Sequence, residues 1–332
     1  MRDDPSLRGK PVAIAGSSRR AVVLTASYEA RPFGVKSAIP LYRALQACPE
    51  LIVVAPDHAK YRVVSKEIFD IFSAHSIAVE GLSLDEAFVD FGDISIEEAT
   101  QRAAAIRAEV LEKTQLTVSA GVSRAKMVAK IASDLCKPNG LLAVQPGEEA
   151  AFLAPLPVGR LWGIGPKTLP RLTVRGIETI GDLAELDDAH LNALFGSWGT
   201  ELRDLARGRD ERKVESGRET RSISIEDTFE IDVVEEYELL DELRRQATEL
   251  ADKLEREGLF ASTIGIKIKR IDFSVFGRQT HLEQPTRDAE RIFEASSYCL
   301  RRAALNRMPV RLIGTRCASL TVEGPLQQSL FS

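Results

Sequence analysis

The spacing of hydrophobic and polar residues divides the chain into alternating strands and helices. Up to residue 56, apolar runs at Pro11–Ala15 and Ala21–Ala26 predict short strands, and a helix is predicted near Ile39–Ala47. The segments predicted next are a helix through Tyr61, Val64, Ile68 and Ile71, a strand at 82–91, a helix at 96–114, a strand at 116–122 and a helix at 124–136. This order predicts an α+β layer, in which a sheet is backed by helices.

The pattern changes between Pro155 and Arg207, where glycines separate short helices and no strand is predicted. The charged stretch at 207–221 is predicted to be an exposed tether. Strands are then predicted at 222–229, 261–271, 273–283 and 310–322, and helices at 235–257 and 288–305. This order predicts a βαββαβ unit. The last ten residues, from Glu323, are predicted to form a flexible tail.

Composition adds limits on the class of protein. The 332 residues carry 44 Lys and Arg against 49 Asp and Glu, a net charge of −5, which excludes a uniformly basic nucleic-acid coat protein. No apolar stretch is long enough to span a membrane and the start lacks a signal-peptide pattern, so a cytoplasmic protein is expected. The 4 Cys and 4 His are scattered, so any metal should be bound mainly by carboxylates.

Charge is unevenly distributed towards the carboxyl end. Residues 222–258 hold thirteen acids and four bases, whereas residues 259–316 hold eleven bases and five acids. Because alternate isoleucines of the strand at 261–271 should face a core, Lys267 and Lys269 share its opposite face. From charge alone, this face is either a solvated surface or a binding site for a polyanion.

Two adjacent carboxylates, Asp85 and Glu86, occur in the octapeptide Ser83–Asp90, inside the strand predicted at 82–91. Buried carboxylates are costly unless they meet a cation. Neighbouring side chains of a strand point to opposite faces, so the pair would share a metal only if the strand bends there. Taken alone, the pattern fits either a metal site or a strand end with two solvated acids.

A second group of polar residues has the chemistry of a phosphate site. Thr25, Tyr28 and Arg31 supply a hydroxyl, a phenol and a guanidinium within seven residues. Arginine chelates phosphate oxygens through its fork, and tyrosine donates to them or stacks on a sugar. The alternative is that these side chains only pack a turn. Lys137 follows a predicted helix, where the helix dipole stabilises a cation and where a lysine could also reach a triphosphate.

A helix-hairpin-helix is favoured by Gly163-Ile164-Gly165-Pro166-Lys167-Thr168 and a second Gly-Ile pair further on. Glycines let a DNA backbone approach closely, and amide groups at the next helix start bind phosphate without reading bases. Gly163, Gly165 and Lys167 are therefore candidate DNA contacts. The alternative is an ordinary pair of helices joined by a turn.

The end of the chain carries an apolar pair in a polar setting. Leu330 and Phe331 follow Gln327, Gln328 and Ser329 and have no core to join. A groove on a partner protein is the natural destination of such a peptide, and a tail without function is the alternative.

Together these motifs resemble those of the Y-family translesion DNA polymerases, in particular the bacterial DNA polymerase IV group. The resemblance covers essentially the whole chain, from Arg2–Pro11 to the tail. It implies a multidomain right-hand polymerase of the α+β class. The implied parts are fingers at 1–56, a palm with a split ferredoxin-like sheet at 57–150, a helix-hairpin-helix thumb at 151–209, a basic linker at 210–221, a βαββαβ little finger at 222–322 and a tail at 323–332.

The resemblance also implies the chemistry of the site. Asp85 and Glu86 match residues that bind the catalytic divalent metals, which are expected to be two Mg²⁺ ions. Residues that match those holding the incoming dNTP are Thr25, Tyr28, Arg31 and Lys137. Gln327, Leu330 and Phe331 look like a sliding-clamp-binding peptide. Primer-template DNA, a dNTP and the sliding clamp are therefore the expected partners of a monomer that acts away from membranes.

One departure from the family pattern concerns the amino-terminal side. Family members normally begin with a strand bearing Asp-Met-Asp and an aromatic pair, ahead of the segment that resembles Arg2–Pro11. That block would add a metal-binding Asp and a central palm strand. Losing one bridging ligand should displace both ions, and a misplacement of about 1 Å can cost ~10²-fold in rate, so weak or no activity is expected of the 332-residue chain.

Two functions of different class follow. The first is a low-fidelity DNA-directed DNA polymerase that acts past lesions by two-metal phosphoryl transfer. The second is a non-catalytic protein that binds primer-template DNA and the sliding clamp. A helix-hairpin-helix nuclease is disfavoured because it leaves Thr25–Arg31 and the terminal peptide unexplained.

Overall fold

A computed structural model describes residues 1–217 and 220–324 of the protein. The chain folds into two compact units, one of Met1–Ser6 with Asp57–Arg218 and the other of Leu7–Pro56 with Glu219–Ser332. In the part of the chain that the structure describes, we find no helix that is both long and apolar enough to cross a membrane.

The second unit begins with a small three-stranded sheet. Its elements are β1 (Val12–Ala15), β2 (Val23–Ala26), α1 (Leu41–Ala47) and β3 (Ile52–Val54). The central strand β1 is antiparallel to β2 and parallel to β3. One face of the sheet packs on α1 through mostly small side chains, among them Ala13, Ala26 and Ala44. The predicted short strands and the helix near residues 39–47 are thus confirmed.

The first unit continues with alternating helices and short strands. They are α2 (His58–Ala74), β4 (Ala78–Gly81), β5 (Ala87–Asp90), α3 (Ile96–Thr114), β6 (Ala120–Val122), α4 (Lys126–Leu135) and β7 (Leu141–Ala143). Strands β4 and β5 pair antiparallel and β6 and β7 pair parallel, as two separate two-stranded sheets among the described residues. Both pack on α3, which buries Val110 beside Val89 of β5 and Ala103 beside Val122 of β6.

This region corrects the predicted strand boundaries. The strand predicted at 82–91 begins only at Ala87, because 82–86 form the turn from β4. The strand predicted at 116–122 begins only at Ala120. Strands β4 and β7 have four and three residues, too short for an alternating pattern to reveal them.

Short helices form the rest of the first unit, as the sequence predicts. They are α5 (Glu149–Leu153), α6 (Leu169–Thr173), α7 (Ile180–Ala184), α8 (Asp188–Phe195) and α9 (Gly199–Ala206). Their core is continuous with α4, since Met127 and Ile131 pack in one cluster with Leu172, Leu183 and Leu202. The apolar face of α4 therefore fixes these helices on the preceding α/β layer.

The segment at 210–216 departs from the predicted exposed tether. The carboxylate of Asp210 is only 1% exposed and accepts hydrogen bonds from the backbone N–H of Met127 and from Nε of Arg212, at 2.9 and 2.6 Å. Met127 lies in the first turn of α4, where a carboxylate also stabilises the helix dipole. Burial acts to raise the pKa of Asp210, but the hydrogen bonds from Arg212 and Met127 outweigh it and the pKa is lowered.

A buried ion pair holds the remainder of this segment. Nζ of Lys126 lies 2.5 Å from Oε2 of Glu80, with the two side chains 11% and 12% exposed. The backbone of the segment joins the pair, because Lys126 donates to the carbonyl of Lys213 and Glu80 accepts from the N–H of Glu215. Oγ of Ser216 accepts from the N–H of Val79 in β4. Residues 210–216 are therefore a docked strap, and we use that name for them below.

The second unit is completed by a four-stranded antiparallel sheet with two helices. The elements are β8 (Ser222–Val233), α10 (Glu236–Arg256), β9 (Phe260–Arg270), β10 (Val275–Thr286), α11 (Ala289–Ala303) and β11 (Val310–Thr321). The strand order is β10-β9-β11-β8. Ile264, Ile266 and Ile268 are buried, and their clusters include Leu243 and Leu250 of α10. The predicted βαββαβ unit and its alternating strand are confirmed.

One arginine connects the two sheets of the second unit. Nη1 of Arg20 lies 2.6 Å from Oδ1 of Asp232 and donates to the carbonyl of Phe229, both on β8. The two charged side chains are 20% and 14% exposed. This partly buried contact attaches the loop after β1 to the larger sheet.

Candidate active site and nucleic-acid interface

The two adjacent carboxylates lie in the turn that joins β4 to β5. The backbone N–H groups of Leu82 and Ser83 donate to the carbonyl of Glu86, which closes the turn. Asp85 is exposed and its Oδ1 accepts from Oγ of Ser83 at 2.6 Å. The prediction that Asp85 and Glu86 lie inside a strand is therefore wrong. Because they lie in a turn, strand alternation does not place their side chains on opposite faces.

A lysine outside the predicted site residues completes this turn. Nζ of Lys130, on α4, donates to Oε2 of Glu86 at 3.0 Å. It also lies 5.7 Å from the centre of the Trp162 ring. Lys126 and Lys130 are four residues apart and thus share a helix face, on which they reach Glu80 and Glu86. That spacing is the sequence signal that the two lysines share a face, but it does not identify Glu86 as a partner.

The donor chemistry of the turn fits a divalent cation bound together with a substrate. Among the residues that the structure describes, no group of three or more His, Cys, Asp or Glu side chains could hold a metal ion. Asp85 and Glu86 are therefore a set of two carboxylates. Magnesium sites of this type use one or two carboxylates and complete their ligands with substrate phosphates and water.

The candidate triphosphate residues Thr25, Tyr28 and Arg31 lie together in the second unit. Thr25 is exposed on β2, opposite Ile14 of β1. The guanidinium of Arg31 lies 4.0 Å from the centre of the Tyr28 ring, and its Nε donates to the carbonyl of Ala26. Tyr28 and Arg31 therefore pack against each other in this turn. Tyr28 nevertheless remains 46% exposed, and the Arg31 guanidinium keeps free donors.

Lys137 belongs to the first unit. It follows α4 and its Nζ lies 2.6 Å from Oδ1 of Asp134, with both side chains more than 40% exposed. An exposed pair of this kind is weak, so the ammonium group can exchange this carboxylate for another anion.

The two glycines of the loop before α6, Gly163 and Gly165, differ in their surroundings. Gly163 has a φ of +104° and faces Trp198, whose ring would lie 2.4 Å from an added Cβ. Gly163 is thus required by the fold. Gly165 has open space around it, and Lys167 is exposed. Close approach of a DNA backbone therefore fits Gly165 and Lys167 better than Gly163.

The second half of this motif is fixed by a capping box at the start of α7. Oγ1 of Thr179 accepts from the N–H of Asp182, and the Asp182 carboxylate accepts from the N–H of Thr179 and of Glu178. These backbone hydrogen bonds lower the pKa of Asp182. Gly181 and Asp182 therefore belong to a helix start, as a helix-hairpin-helix requires.

A cleft of about 370 Å³ separates α4 from the glycine loop. Lys130, Arg160, Trp162 and Gly165 are among the residues that line it. Trp162 is 44% exposed, and the Arg212 guanidinium lies 5.7 Å from its ring centre. On this side of the cleft Lys130 and Arg212 are paired with Glu86 and Asp210, and Trp162 is the exposed apolar surface.

Lys267 and Lys269 lie on the open face of the large sheet, as the alternation in β9 predicts. Lys267 pairs with Glu226 of β8 at 2.7 Å, with the side chains 42% and 37% exposed. The open face is therefore mixed in charge near β8. Gln327, Leu330 and Phe331 lie outside the described residues.

Comparison with known protein families identifies relatives along nearly the whole chain. The impB/mucB/samB family matches residues 1–134, its C-terminal domain matches 220–330, and the IMS family HHH motif matches 146–177. A DNA polymerase IV of Stenotrophomonas maltophilia (strain K279a) is 45% identical over 298 residues, which cover 88% of this chain and 80% of that protein. A DNA polymerase IV of Xanthomonas campestris pv. campestris (strain 8004) is 40% identical over 341 residues, which cover 100% and 94%.

Solved structures agree with these matches. A Y-family DNA polymerase chimera superposes with a TM-score of 0.89 at 27% identity, over 96% of this chain and 94% of that chain. An insertion ternary complex of Dbh DNA polymerase superposes with a TM-score of 0.68 at 26% identity, over 97% and 95%.

Proposed function

The chain belongs to the impB/mucB/samB family and is a Y-family DNA polymerase, and on that premise we propose a role for each part of its site. It is a DNA-directed DNA polymerase of translesion synthesis, with DNA and nucleotides as partners. A non-catalytic DNA- and clamp-binding protein finds no support among these relatives. The observation that carries the proposal is the β4–β5 turn, in which Lys130 holds Glu86 beside an exposed Asp85.

Divalent metal ions are used by Y-family DNA polymerases. For this chain we expect two Mg²⁺ ions, which Asp85 and Glu86 would hold together with oxygens of the triphosphate. Two carboxylates are a suitable protein contribution, because Mg²⁺ takes the rest of its six oxygens from phosphates and water. When bound, the ions supply charge stabilisation for the attacking and leaving oxygens.

The chain's own residues orient the reactants. Lys130 fixes the carboxylate of Glu86, and Ser83 fixes that of Asp85, so both acids are held before the substrate arrives. Arg31, Tyr28, Thr25 and Lys137 bind the triphosphate, with the Arg31 fork on its oxygens. The primer 3′ oxygen then bonds to the α-phosphorus as pyrophosphate leaves.

DNA is held by the glycine loop and by the open sheet face. The N–H groups near Gly165 and the ammonium of Lys167 contact phosphates without reading bases, as does Gly163 through its backbone. Lys267 and Lys269 add phosphate contacts along β9. Gln327, Leu330 and Phe331 form the sliding-clamp peptide of a monomer in the cytoplasm, and replacement of Leu330 and Phe331 by Ala should abolish clamp binding without changing DNA affinity.

Primer extension by the purified 332-residue chain with Mg²⁺ and dNTPs tests this proposal. Asp85→Asn and Glu86→Gln should each reduce the extension rate at least ~10²-fold, because each removes a charged ligand. Glu112→Gln, an exposed acid of α3, is the matched control and should leave the rate unchanged. Binding of primer-template DNA should be similar in all three variants. Full-rate extension by the Asp85 and Glu86 variants would reject the assignment.

A further inference from the structure

The turn between β9 and β10 presents apolar side chains to solvent. Ile271, Phe273 and Val275 are 58%, 62% and 52% exposed. The turn is nevertheless ordered by hydrogen bonds, since the N–H of Phe273 donates to the carbonyl of Arg270, and Ser274 donates twice to Oδ1 of Asp272. An ordered turn with an exposed aromatic ring at its end is suited to contact a ligand.

The backbone of Phe273 is in an unfavourable conformation. Its φ is +64°, in the left-handed region that favours glycine and that bulky residues seldom adopt. The ring is not buried in a core, so burial does not offset this strain. Strained residues of this kind cluster at binding sites, where the side chain is needed and the surrounding turn fixes it.

Three arginines lie over aromatic rings in this region, which are the exposed ring of Phe273 and the ring of Phe276, partly buried against the core. The guanidinium of Arg311 lies 4.7 Å from the centre of the Phe273 ring. Arg270 and Arg278 lie 4.7 and 5.8 Å from the centre of the Phe276 ring. We call Arg270–Phe276 with Arg278 and Arg311 the aromatic tip. Cation–π contacts fix the orientation of the rings but leave the positive charges uncompensated.

The arginines of the aromatic tip form no ion pair with a described residue, although Arg270, after the hydrogen bonds from Ser274, helps to lower the pKa of Asp272 in the same turn. Among the residues that the structure describes, no carboxylate forms an ion pair with Arg270, Arg278 or Arg311, and Nε of Arg270 is buried without a hydrogen-bond partner. Other bases of the same domain are paired, such as Lys267 with Glu226 and Arg307 with Glu235. Unpaired guanidiniums around an exposed ring match an anionic ligand with flat, apolar groups.

We propose that the aromatic tip binds single-stranded template DNA by stacking an unpaired base on Phe273. Arg311 covers one face of the ring, and the exposed side receives the base. Arg270 and Arg278 contact the neighbouring phosphates. Stacking on aromatic side chains within a cationic surface is the general way in which proteins bind single strands without sequence preference. This inference rests on the proposed function, because it takes the DNA of the polymerase as the ligand.

Fluorescence of 2-aminopurine in the template overhang tests the stacking. The full chain is titrated with a primer-template that carries a 5′ overhang and with a blunt duplex of equal length. Phe273→Ala should weaken binding of the overhang substrate about tenfold and abolish the quenching of one 2-aminopurine, with little effect on the blunt duplex. Phe273→Trp should retain both. Tyr237→Ala is the matched control, because Tyr237 is 64% exposed but lies at the acidic start of α10.

The salt dependence of affinity separates stacking from charge. Arg270→Gln, Arg278→Gln and Arg311→Gln should each lower the slope of log affinity against log salt by ~0.7, whereas Phe273→Ala should leave it unchanged. Equal quenching and affinity in the wild type and Phe273→Ala would overturn the inference. The exposed tip would then be a contact surface for a protein partner. Primer extension by the same preparations distinguishes failure of this inference from failure of the proposed function. If the proposed polymerase function is wrong, the wild type will not extend the primer.

Discussion

The docked strap at 210–216 and the aromatic tip are both rich in cations, but their cations have different partners. In the strap region, Lys126 and Arg212 are neutralised by Glu80 and Asp210, and the carboxylates are 12% and 1% exposed. At the tip, the arginines lie over aromatic rings and form no ion pair with a described carboxylate. Positive charge in the first region stabilises the fold, whereas in the second it is available for a ligand. A count of charges in the sequence does not distinguish the two.

The strongest test of this difference is to remove the acid of the buried pair. Glu80→Ala should destabilise the first unit by about 3–5 kcal/mol, because it leaves Lys126 buried without a counter-charge. Urea denaturation followed by hydrogen exchange of the Glu215 N–H measures the effect. The double variant Glu80→Leu, Lys126→Met should recover much of the loss. Glu98→Gln, which breaks an exposed pair with Arg102, should cost no more than about 0.5 kcal/mol.

A smaller loss is expected when the strap loses its contact with the start of α4. Asp210→Asn should cost about 2 kcal/mol at pH 7, since it weakens charged hydrogen bonds to Arg212 and Met127. The folded-state pKa of Asp210 lies below the ordinary value of 3.8. Its contribution is therefore full well above pH 3.8 and is lost as the pH falls through the folded pKa.

Stability of the wild type and of Asp210→Asn should thus be compared by urea denaturation from pH 7 down to pH about 3. The difference between them should stay constant to about pH 5 and shrink below it. A difference that instead grows as the pH falls would mean that the folded-state pKa of Asp210 is raised above its ordinary value.

Sequence patterns predict some of these features and miss others for physical reasons. The large sheet and its helices are predicted because β9 and α10 are long enough to show a period. The strap is missed because its order comes from single contacts with Glu80 and Met127, more than 80 residues away in sequence. Lys130 shares a helix face with Lys126, but its contact with Glu86, 44 residues away in sequence, depends on the fold. The carboxylates at 85–86 were predicted as the site, but the bend that holds them depends on the pairing of β4 with β5.

The two regions should also differ in their effect on DNA binding. Arg278→Gln should lower the affinity for a primer-template several-fold and reduce the salt slope by ~0.7–0.9, because a free cation is lost. Arg212→Gln should leave the salt slope unchanged, since its charge is already satisfied by Asp210. Fluorescence anisotropy over a range of salt concentrations gives both values. Equal slopes for the two variants would remove the distinction between strap and tip.

The smallest expected effect concerns backbone strain at the two regions. Gly217, directly after the strap, has a φ of +75° and open space around its Cα, whereas Phe273 at the tip has a φ of +64°. Phe273→Gly should therefore stabilise the second unit by about 1 kcal/mol, and Gly217→Ala should destabilise the chain by about the same amount. Phe273→Ala keeps a Cβ and should not gain stability, so urea denaturation of these three variants separates strain from loss of the ring. If the tip is a binding site, Phe273→Gly is more stable than the wild type but binds the template overhang more weakly. The need for the ring in binding then explains why a strained aromatic residue occupies this position.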